Sequence, residues 1–450
     1  MVQQYRRGER RIAPAKLISF GFALVIFIGS VLLSLPVAVA GGGYNRYIDA
    51  LFTATSAVCV TGLVVVDTGT FYSLFGQGVI ISLIQIGGLG IITVASIYAF
   101  LFRRRIGLKE RLVMKEALNM ESLGGIVRLV KSVLLTTFVL EGIGAVLLTL
   151  TLTDYFNLGK SIYYGFFHAV SAFCNAGFDV FGPEFYPYCS VIPFQNDWRV
   201  LCIIALMITL GGLGYPVLFD IRKEKNFRCL SLHSKLVLVT SAVLVLGGTL
   251  VFLLIEHFGV MSRMGPVEAV VNSLFLSITP RTAGYTSVDI AKLAPSSILI
   301  LMFLMFVGAS PVSTGGGIKT VTFAVLVMAV YSRIKGKTET EAFRRRIEST
   351  SLYQALTVTM LAGGLVALAI IVLTLSSHFD TIRLMFEAFS AFGTVGLSTG
   401  ITPDLNTASK VVLIILMFAG RVGPLTVAFA LLEREGKDQV KYPRGNVIIG

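Results

Sequence analysis

FEAFSAFGTVGL, Phe386 to Leu397, decides the fold, because three earlier stretches of the chain say nearly the same thing. They are FTATSAVCVTGL (Phe52 to Leu63), FHAVSAFCNAGF (Phe167 to Phe178) and FLSITPRTAGY (Phe275 to Tyr285). A Phe stands ten residues before a Gly in each, except in the third in chain order, which is one residue shorter. The glycines Gly62, Gly177, Gly284 and Gly396 fall 115, 107 and 112 residues apart, an even period that marks four related units.

Each copy opens with a helix-compatible, mostly apolar run and then meets a small polar residue and Gly. Spanning a bilayer takes about 20 helical residues, whereas roughly 10 to 14 suit a re-entrant segment. Gly releases the backbone from helical angles, and irregular backbone at membrane depth is tolerated only where protein shields it or it lines a water-filled path. Four such loops meeting round an axis would present rings of carbonyl oxygens able to replace the hydration shell of a monovalent cation. The short helices would also aim the negative ends of their dipoles at the ion. The expectation is a cation pathway.

Composition agrees. Hydrophobic residues make up 55% of the 450, charged ones 14%, and the mean hydropathy is +0.81, so the chain reads as a polytopic membrane protein. Its net charge of +13 does not call for nucleic acid, because 26 of the 38 Lys and Arg sit in five clusters at the ends of apolar runs. These are Arg6 to Lys16, Arg103 to Lys115, Arg222 to Lys235, Arg333 to Arg346 and Arg434 to Arg444, and such clusters mark a cytoplasmic side. The five cysteines form no CxxC pair and the four histidines no paired spacing, which argues against metal or redox chemistry. The apolar run from Leu17 is long enough to span and lacks a small-residue cleavage pattern, so the first helix is expected to stay.

The apolar pattern predicts an all-α membrane protein with four helix–re-entrant loop–helix units at residues 1–115, 116–230, 231–348 and 349–434, followed by a tail at 435–450. The first helices are expected over 14–36, 125–155, 232–258 and 352–376, and the short helices over 48–58, 162–173, 267–278 and 382–392. Return helices are expected over 73–102, 198–221, 295–331 and 409–432. That makes eight spans, an even number that puts both termini on the cytoplasmic side, as the charge clusters require.

The return helices share a second motif: IGGLGI (86–91), LGGLGY (210–215), VGASPV (307–312) and AGRVGP (419–424). Small residues allow backbones to pack closely, the simplest reading of the first two. The third differs, because its 37 residues are too many for one span and its middle, GASPVSTGGGIK, cannot sustain a helix. A helix broken at midplane is a candidate gate, here Gly308, Ala309, Ser310, Ser313, Thr314, Gly315, Gly316, Gly317 and Lys319. STGGGIKT departs from the phosphate-binding pattern, since Ile318 separates Gly from Lys319 and no strand precedes it. Arg421 lies mid-span, where charge is expensive and usually functional. It either caps carbonyls of a neighbouring helix or stands beneath the loops as a barrier to cations. Glu141 either pairs with a buried base or lines a vestibule. Asp49, Glu268 and Glu387, in the short helices, are expected to anchor structure, and Arg281 is expected to point back into the protein and tie its loop down.

In order and spacing these motifs resemble the Trk/Ktr/HKT superfamily of potassium-translocating proteins, most closely the KtrB-type membrane subunit, over essentially the whole chain. The matching pieces are VTGL, NAGF, RTAGY and TVGL, the two GGLG helices, the interrupted third return helix, and AGRVGPLT around Arg421. The resemblance implies a selectivity filter of Val60, Thr61, Gly62, Asn175, Ala176, Gly177, Thr282, Ala283, Gly284, Thr394, Val395 and Gly396, with potassium at the backbone carbonyls. It implies a gating loop over Gly308 to Gly317, partnered by Arg421. It also implies a homodimer in a bacterial plasma membrane, no covalently bound cofactor, and sodium as an activator of potassium uptake. ATP or ADP would act only through a separate KtrA-like regulatory ring. Some relatives carry Ser at the first filter position and prefer sodium, whereas this chain has Gly62. One departure is the GGG at 315–317, where mixed small residues are the pattern. A sodium-coupled alternating-access carrier is the rival reading, since broken helices also mark carriers. An intramembrane enzyme is more distant, because no paired carboxylates, metal cluster or Ser/His/Asp set is legible at midplane.

Overall fold

The computed structural model describes residues 14–90 and 126–423. The basic cluster Arg103 to Lys115, the cluster Arg434 to Arg444, the tail 435–450 and the expected ends of the first and fourth return helices lie outside them. Within them the regular structure is almost entirely helical, with one two-stranded hairpin pairing Glu341–Ala342 with Arg345–Arg346.

Four long helices, Pro14–Ser34, Ile126–Leu152, Leu232–Glu256 and Ser349–Ser376, carry enough continuous apolar sequence to cross a membrane. Less than a third of each apolar window is buried. On Leu232–Glu256, Leu246, Leu250 and Leu254 form an exposed apolar stripe while Ser234, Ser241 and Gly248 face inward, the inverse of a helix in water. Such a surface is stable only against hydrocarbon.

The short helices are the opposite case. Tyr47–Val58, Leu158–Phe173, Pro266–Ile278 and Thr381–Gly393 are packed at the centre, and Phe52, Phe167, Phe275 and Phe386, the first residues of the repeated motif, are all buried. The second begins four residues before the expected Ile162, where Asn157 accepts a hydrogen bond from the Lys160 amide at 3.0 Å and fixes its first turn. Pro266 and a capping box from Glu268 to the Gly265 amide, at 2.9 Å, start the third.

The return helices differ from expectation. They are Leu74–Leu89, Trp198–Leu213, Pro295–Phe306 and Thr407–Val422, of 16, 16, 12 and 16 residues. Three end at a glycine with positive φ: Gly90 at 80°, Gly214 at 86° and Gly423 at 96°. The second was expected to run unbroken over 198–221, but it bends by 95° at Gly214 into Tyr215–Glu224. The last glycine of the GGLG motif is therefore a helix terminator and not only a packing residue. In the third unit Pro311 holds that place, and the chain crosses a loop before resuming as Thr320–Ile334. Among the described residues four helices qualify as spans on their own, five if the bent pair counts as one.

The first glycine of the same motif does pack. A methyl group on Gly87, Gly211 or Gly420 would overlap the carbonyl oxygen of Val58, Phe173 or Phe392, each of which lies four residues before the glycine that ends its loop. The return helix thus presses its backbone against the end of its unit's short helix. Substituting Gly211→Ala should therefore lower the thermal unfolding temperature of the detergent-solubilised protein, since overpacking of this kind costs about 1 to 3 kcal/mol. Gly247→Ala, which meets nothing within 4 Å, should leave that temperature unchanged or raise it. Equal melting of Gly211→Ala and wild type would refute the close packing.

Candidate functional site

At the end of every short helix the backbone performs the same manoeuvre. Two residues before each loop glycine stands a non-glycine residue in the left-handed region: Val60 (58°), Asn175 (61°), Thr282 (73°) and Thr394 (50°). The glycines follow at 93° for Gly62, 68° for Gly177, 78° for Gly284 and 93° for Gly396. A left-handed non-glycine residue is strained by roughly 1 to 3 kcal/mol and persists where its surroundings over-determine it. Four at equivalent places make one structural device used four times.

The surroundings that hold it are hydroxyl residues that sequence reading did not single out. The amides of Thr61, Ala176 and Val395 donate to the carbonyls of Ser56, Ser171 and Ser390, five residues back, at 2.8, 2.7 and 2.9 Å. In the copy one residue shorter, the Ala283 amide donates to the Thr279 carbonyl, four residues back, at 2.9 Å. The hydroxyls of Ser56 and Ser390 also accept from the Gly62 and Gly396 amides at 3.0 and 3.1 Å. The Ser171 hydroxyl donates to the Phe178 carbonyl at 2.9 Å, and that of Thr279 donates to the Tyr285 carbonyl. The available signal was the recurrence of Ser or Thr at one place in all four copies.

The four loops close on one another. A methyl group built on Gly62 would lie 3.2 Å from the Gly177 Cα, one on Gly177 3.0 Å from the Gly284 Cα, one on Gly284 3.1 Å from the Gly396 Cα, and one on Gly396 2.9 Å from the Gly62 Cα. Each glycine therefore abuts the next unit's glycine and the last returns to the first. Val60, Thr61, Asn175, Ala176, Thr282, Ala283, Thr394 and Val395 are all buried round this ring. A buried ion pair, Lys410 Nζ to Asp49 Oδ1 at 2.8 Å, joins the fourth unit's return helix to the first unit's short helix.

Directly against the ring lies the interrupted third return helix, residues 307–319, bridged across its neck by Val307 and Ile318. The Ser310 and Thr314 amides donate to the carbonyls of Gly212 and Gly211 at 3.1 and 3.4 Å, and the Gly317 amide donates to Gly420 at 3.3 Å. Ser313 donates to the Ser310 carbonyl at 2.6 Å, and Thr320 donates to the Ser310 hydroxyl at 3.1 Å. A side chain on Gly308 would strike the Gly316 carbonyl, and side chains on Gly315 and Gly316 would strike the hydroxyls of Thr282 and Thr394. The GGG run is thus a requirement of close docking, not a source of looseness.

Two basic side chains act on this loop. Arg421 donates through one guanidinium nitrogen to the Thr314 carbonyl and through the other to the Gly87 carbonyl, so it caps a neighbouring helix and ties down the loop at once. It occupies the place held by Gly88, Gly212 and Ala309 in the other units. Lys319 folds back, its ammonium donating to the Gly315 and Gly316 carbonyls at 2.6 and 3.4 Å.

The remaining polar groups sort as follows. Glu387 accepts from the Ser398 hydroxyl at 2.7 Å, the Thr399 amide at 3.1 Å and the Thr402 hydroxyl at 2.8 Å, and so ties down the chain beyond the fourth loop. Arg281 points away from the ring to the Ser241 hydroxyl at 2.8 Å. His168 stacks on Phe181 with ring centres 3.9 Å apart. Glu141 meets neither a base nor open space: Gln85 donates to it at 3.2 Å, and the Cys174 thiol lies 3.6 Å away. Sequence reading also missed Glu256, fully buried, which accepts from the Ala294 amide at 3.0 Å and the Ser297 hydroxyl at 2.5 Å.

Comparison with known proteins gives this geometry a family. The profile of TrkH, a cation transport protein, matches residues 25–438. The Ktr system potassium uptake protein B of Bacillus subtilis is 40% identical over 98% of this chain and 97% of its own length. The potassium/sodium uptake protein NtpJ of Enterococcus hirae is 39% identical over 99% of each chain, and the Ktr system potassium uptake protein B of Vibrio alginolyticus is 36% identical over 99% of this chain and 97% of its own. Among solved structures, the potassium transporter TrkH from Vibrio parahaemolyticus shares the fold with a TM-score of 0.72 at 17% identity, covering 95% of this chain and 87% of that one. The chain belongs to the TrkH family of cation transport proteins, whose members are transporters and not enzymes.

Proposed function

We propose that this chain is the pore-forming membrane subunit of a potassium uptake system, in which the ring at Gly62, Gly177, Gly284 and Gly396 is a selectivity filter. The observation that carries this reading is the cyclic contact of the four glycines, each preceded at two residues by a left-handed residue. Backbone folded this way cannot use its carbonyls in helical hydrogen bonds, and carbonyls freed round an axis can replace the water of a potassium ion. The four short helices end at the ring and add their dipoles. Each unit contributes two spans, eight in all, with residues 1–115, 116–230, 231–348 and 349–434 as the units. The basic clusters support both ends, with the tail at 435–450, on the cytoplasmic side, and the membrane is a bacterial plasma membrane in this reading. A ring in which every unit relates to its neighbour alike suits a pore, whereas alternating-access carriers generally pair two halves.

Residues 308–319, with Arg421, are the gate. The loop blocks the passage beneath the filter, and the fixed guanidinium of Arg421 beside it opposes a permeating cation in a medium of low dielectric. The names of the relatives support potassium as the transported ion, and sodium is taken as an activator of its uptake. Regulation comes from outside the chain, through a KtrA-like ring binding ATP or ADP beneath a homodimer.

In liposomes holding the purified protein, rubidium tracer uptake should exceed sodium uptake. Serine at Gly62 must adopt a φ of 93° and would bring its Cβ within 2.5 Å of the Ala176 carbonyl oxygen, pushing one side of the ring out of register. Gly62→Ser should therefore lower the rubidium-to-sodium ratio by about tenfold, which corresponds to ~1.4 kcal/mol of lost discrimination. An unchanged ratio in well-expressed protein would contradict the filter assignment.

The gate is tested separately, in protein lacking its cytoplasmic partner. Deleting residues 310–316, or substituting Arg421→Ala, should raise rubidium flux at matched reconstitution, and equal or lower flux would count against the gate.

A further inference from the structure

The loop beneath the ring is not merely near it. Thr314 donates its hydroxyl to both the Phe173 carbonyl and Asn175 Oδ1, each at 3.3 Å. The Gly316 amide donates to the Thr394 hydroxyl at 3.0 Å. Between them Gly315 sits so close to the Thr282 hydroxyl that no side chain fits there, and Asn175 Nδ2 donates to that same hydroxyl at 3.2 Å. Asn175, Thr282 and Thr394 are three of the four left-handed residues that start the filter segments. The fourth, Val60, has no side-chain group able to join the set.

We propose that Asn175 and Thr394 are latch residues, whose side chains clamp the gating loop against the floor of the filter and receive, in return, support for their own strained backbone. The proposal rests on the assignment of 308–319 as the gate and goes beyond it, because it couples the two parts. A left-handed Asn or Thr persists where hydrogen bonds over-determine it. Withdrawal of the loop removes a partner from Asn175 and from Thr394 together. Two corners of the ring are then free to relax while the Val60 corner, which never depended on the loop, stays. Opening the gate thus changes the shape of the filter from the second and fourth units, and the filter in its ion-selective form in turn favours the closed loop.

Thr394→Val tests this, since it keeps a methyl group against Gly420 and replaces the hydroxyl that accepts from Gly316 by a second methyl. In liposomes without the cytoplasmic partner it should raise rubidium flux about fivefold, the equivalent of one neutral hydrogen bond, and lower the rubidium-to-sodium ratio. Thr394→Ser, which retains the hydroxyl, should raise the flux less than Thr394→Val does. In protein lacking residues 310–316, Thr394→Val should add nothing further to the flux. If the deletion raises flux while Thr394→Val leaves flux and ratio at wild-type values, the latch is wrong and the gate stands. If Thr394→Ser opens the pathway and Thr394→Val does not, Thr394 acts by packing and the latch is likewise wrong. A deletion that leaves flux unchanged removes the gate and the latch with it. Should Thr394→Val fail to elute as folded protein, Asn175→Leu is read by the same two quantities, and wild-type values in it overturn the proposal.

Discussion

Backbone that leaves a helix inside a membrane must find partners for its amides and carbonyls, because hydrocarbon offers none. Everything in this structure follows from how that demand is met where the four short helices end. Each chain turns left-handed, passes one residue and turns left-handed again at glycine, and the amides within the turn are taken up by Ser56, Ser171, Thr279 and Ser390. With the amides satisfied inward, the turn can leave carbonyls free. Glycine is needed at its end because the next unit's backbone comes within contact distance, and the same argument applied four times closes the ring.

The rest of the molecule supports this centre. The long helices put leucine toward lipid and small or hydroxyl residues inward, so burial does not drive their association, and close backbone contact takes its place. Gly87, Gly211 and Gly420 provide that contact against the ends of the short helices. The Lys410–Asp49 pair closes the fourth unit onto the first. It is shielded from water, so each partner depends on the other to avoid a bare buried charge.

Much of this was legible because repetition is visible in sequence. The Phe-to-Gly spacing located the four loops to within a residue or two, and glycine clustering located the broken third return helix. What sequence reading could not supply was chosen by tertiary contact. The bend at Gly214 looks like packing until the φ of 86° is known, since a GGLG run suits either a close crossing or a helix end. Arg421 allowed two readings, capping or guarding, and the structure shows the first: its guanidinium caps Gly87 and holds Thr314. Glu141 was expected beside a base or a vestibule but meets Gln85 and Cys174, partners 56 and 33 residues away that no local pattern brings together. The GGG run reads as flexible by composition and is tightly docked in fact, because the hydroxyls that exclude its side chains, Thr282 and Thr394, belong to other loops.

The central claim is that the four turns together strip water from one alkali-metal ion. Anomalous scattering from crystals of the full chain grown in thallium or rubidium addresses it most directly. The account predicts a column of heavy-ion density on the axis enclosed by Gly62, Gly177, Gly284 and Gly396, lost when sodium replaces the heavy ion. An axis empty of the heavy ion, with density elsewhere in the membrane region, would contradict it.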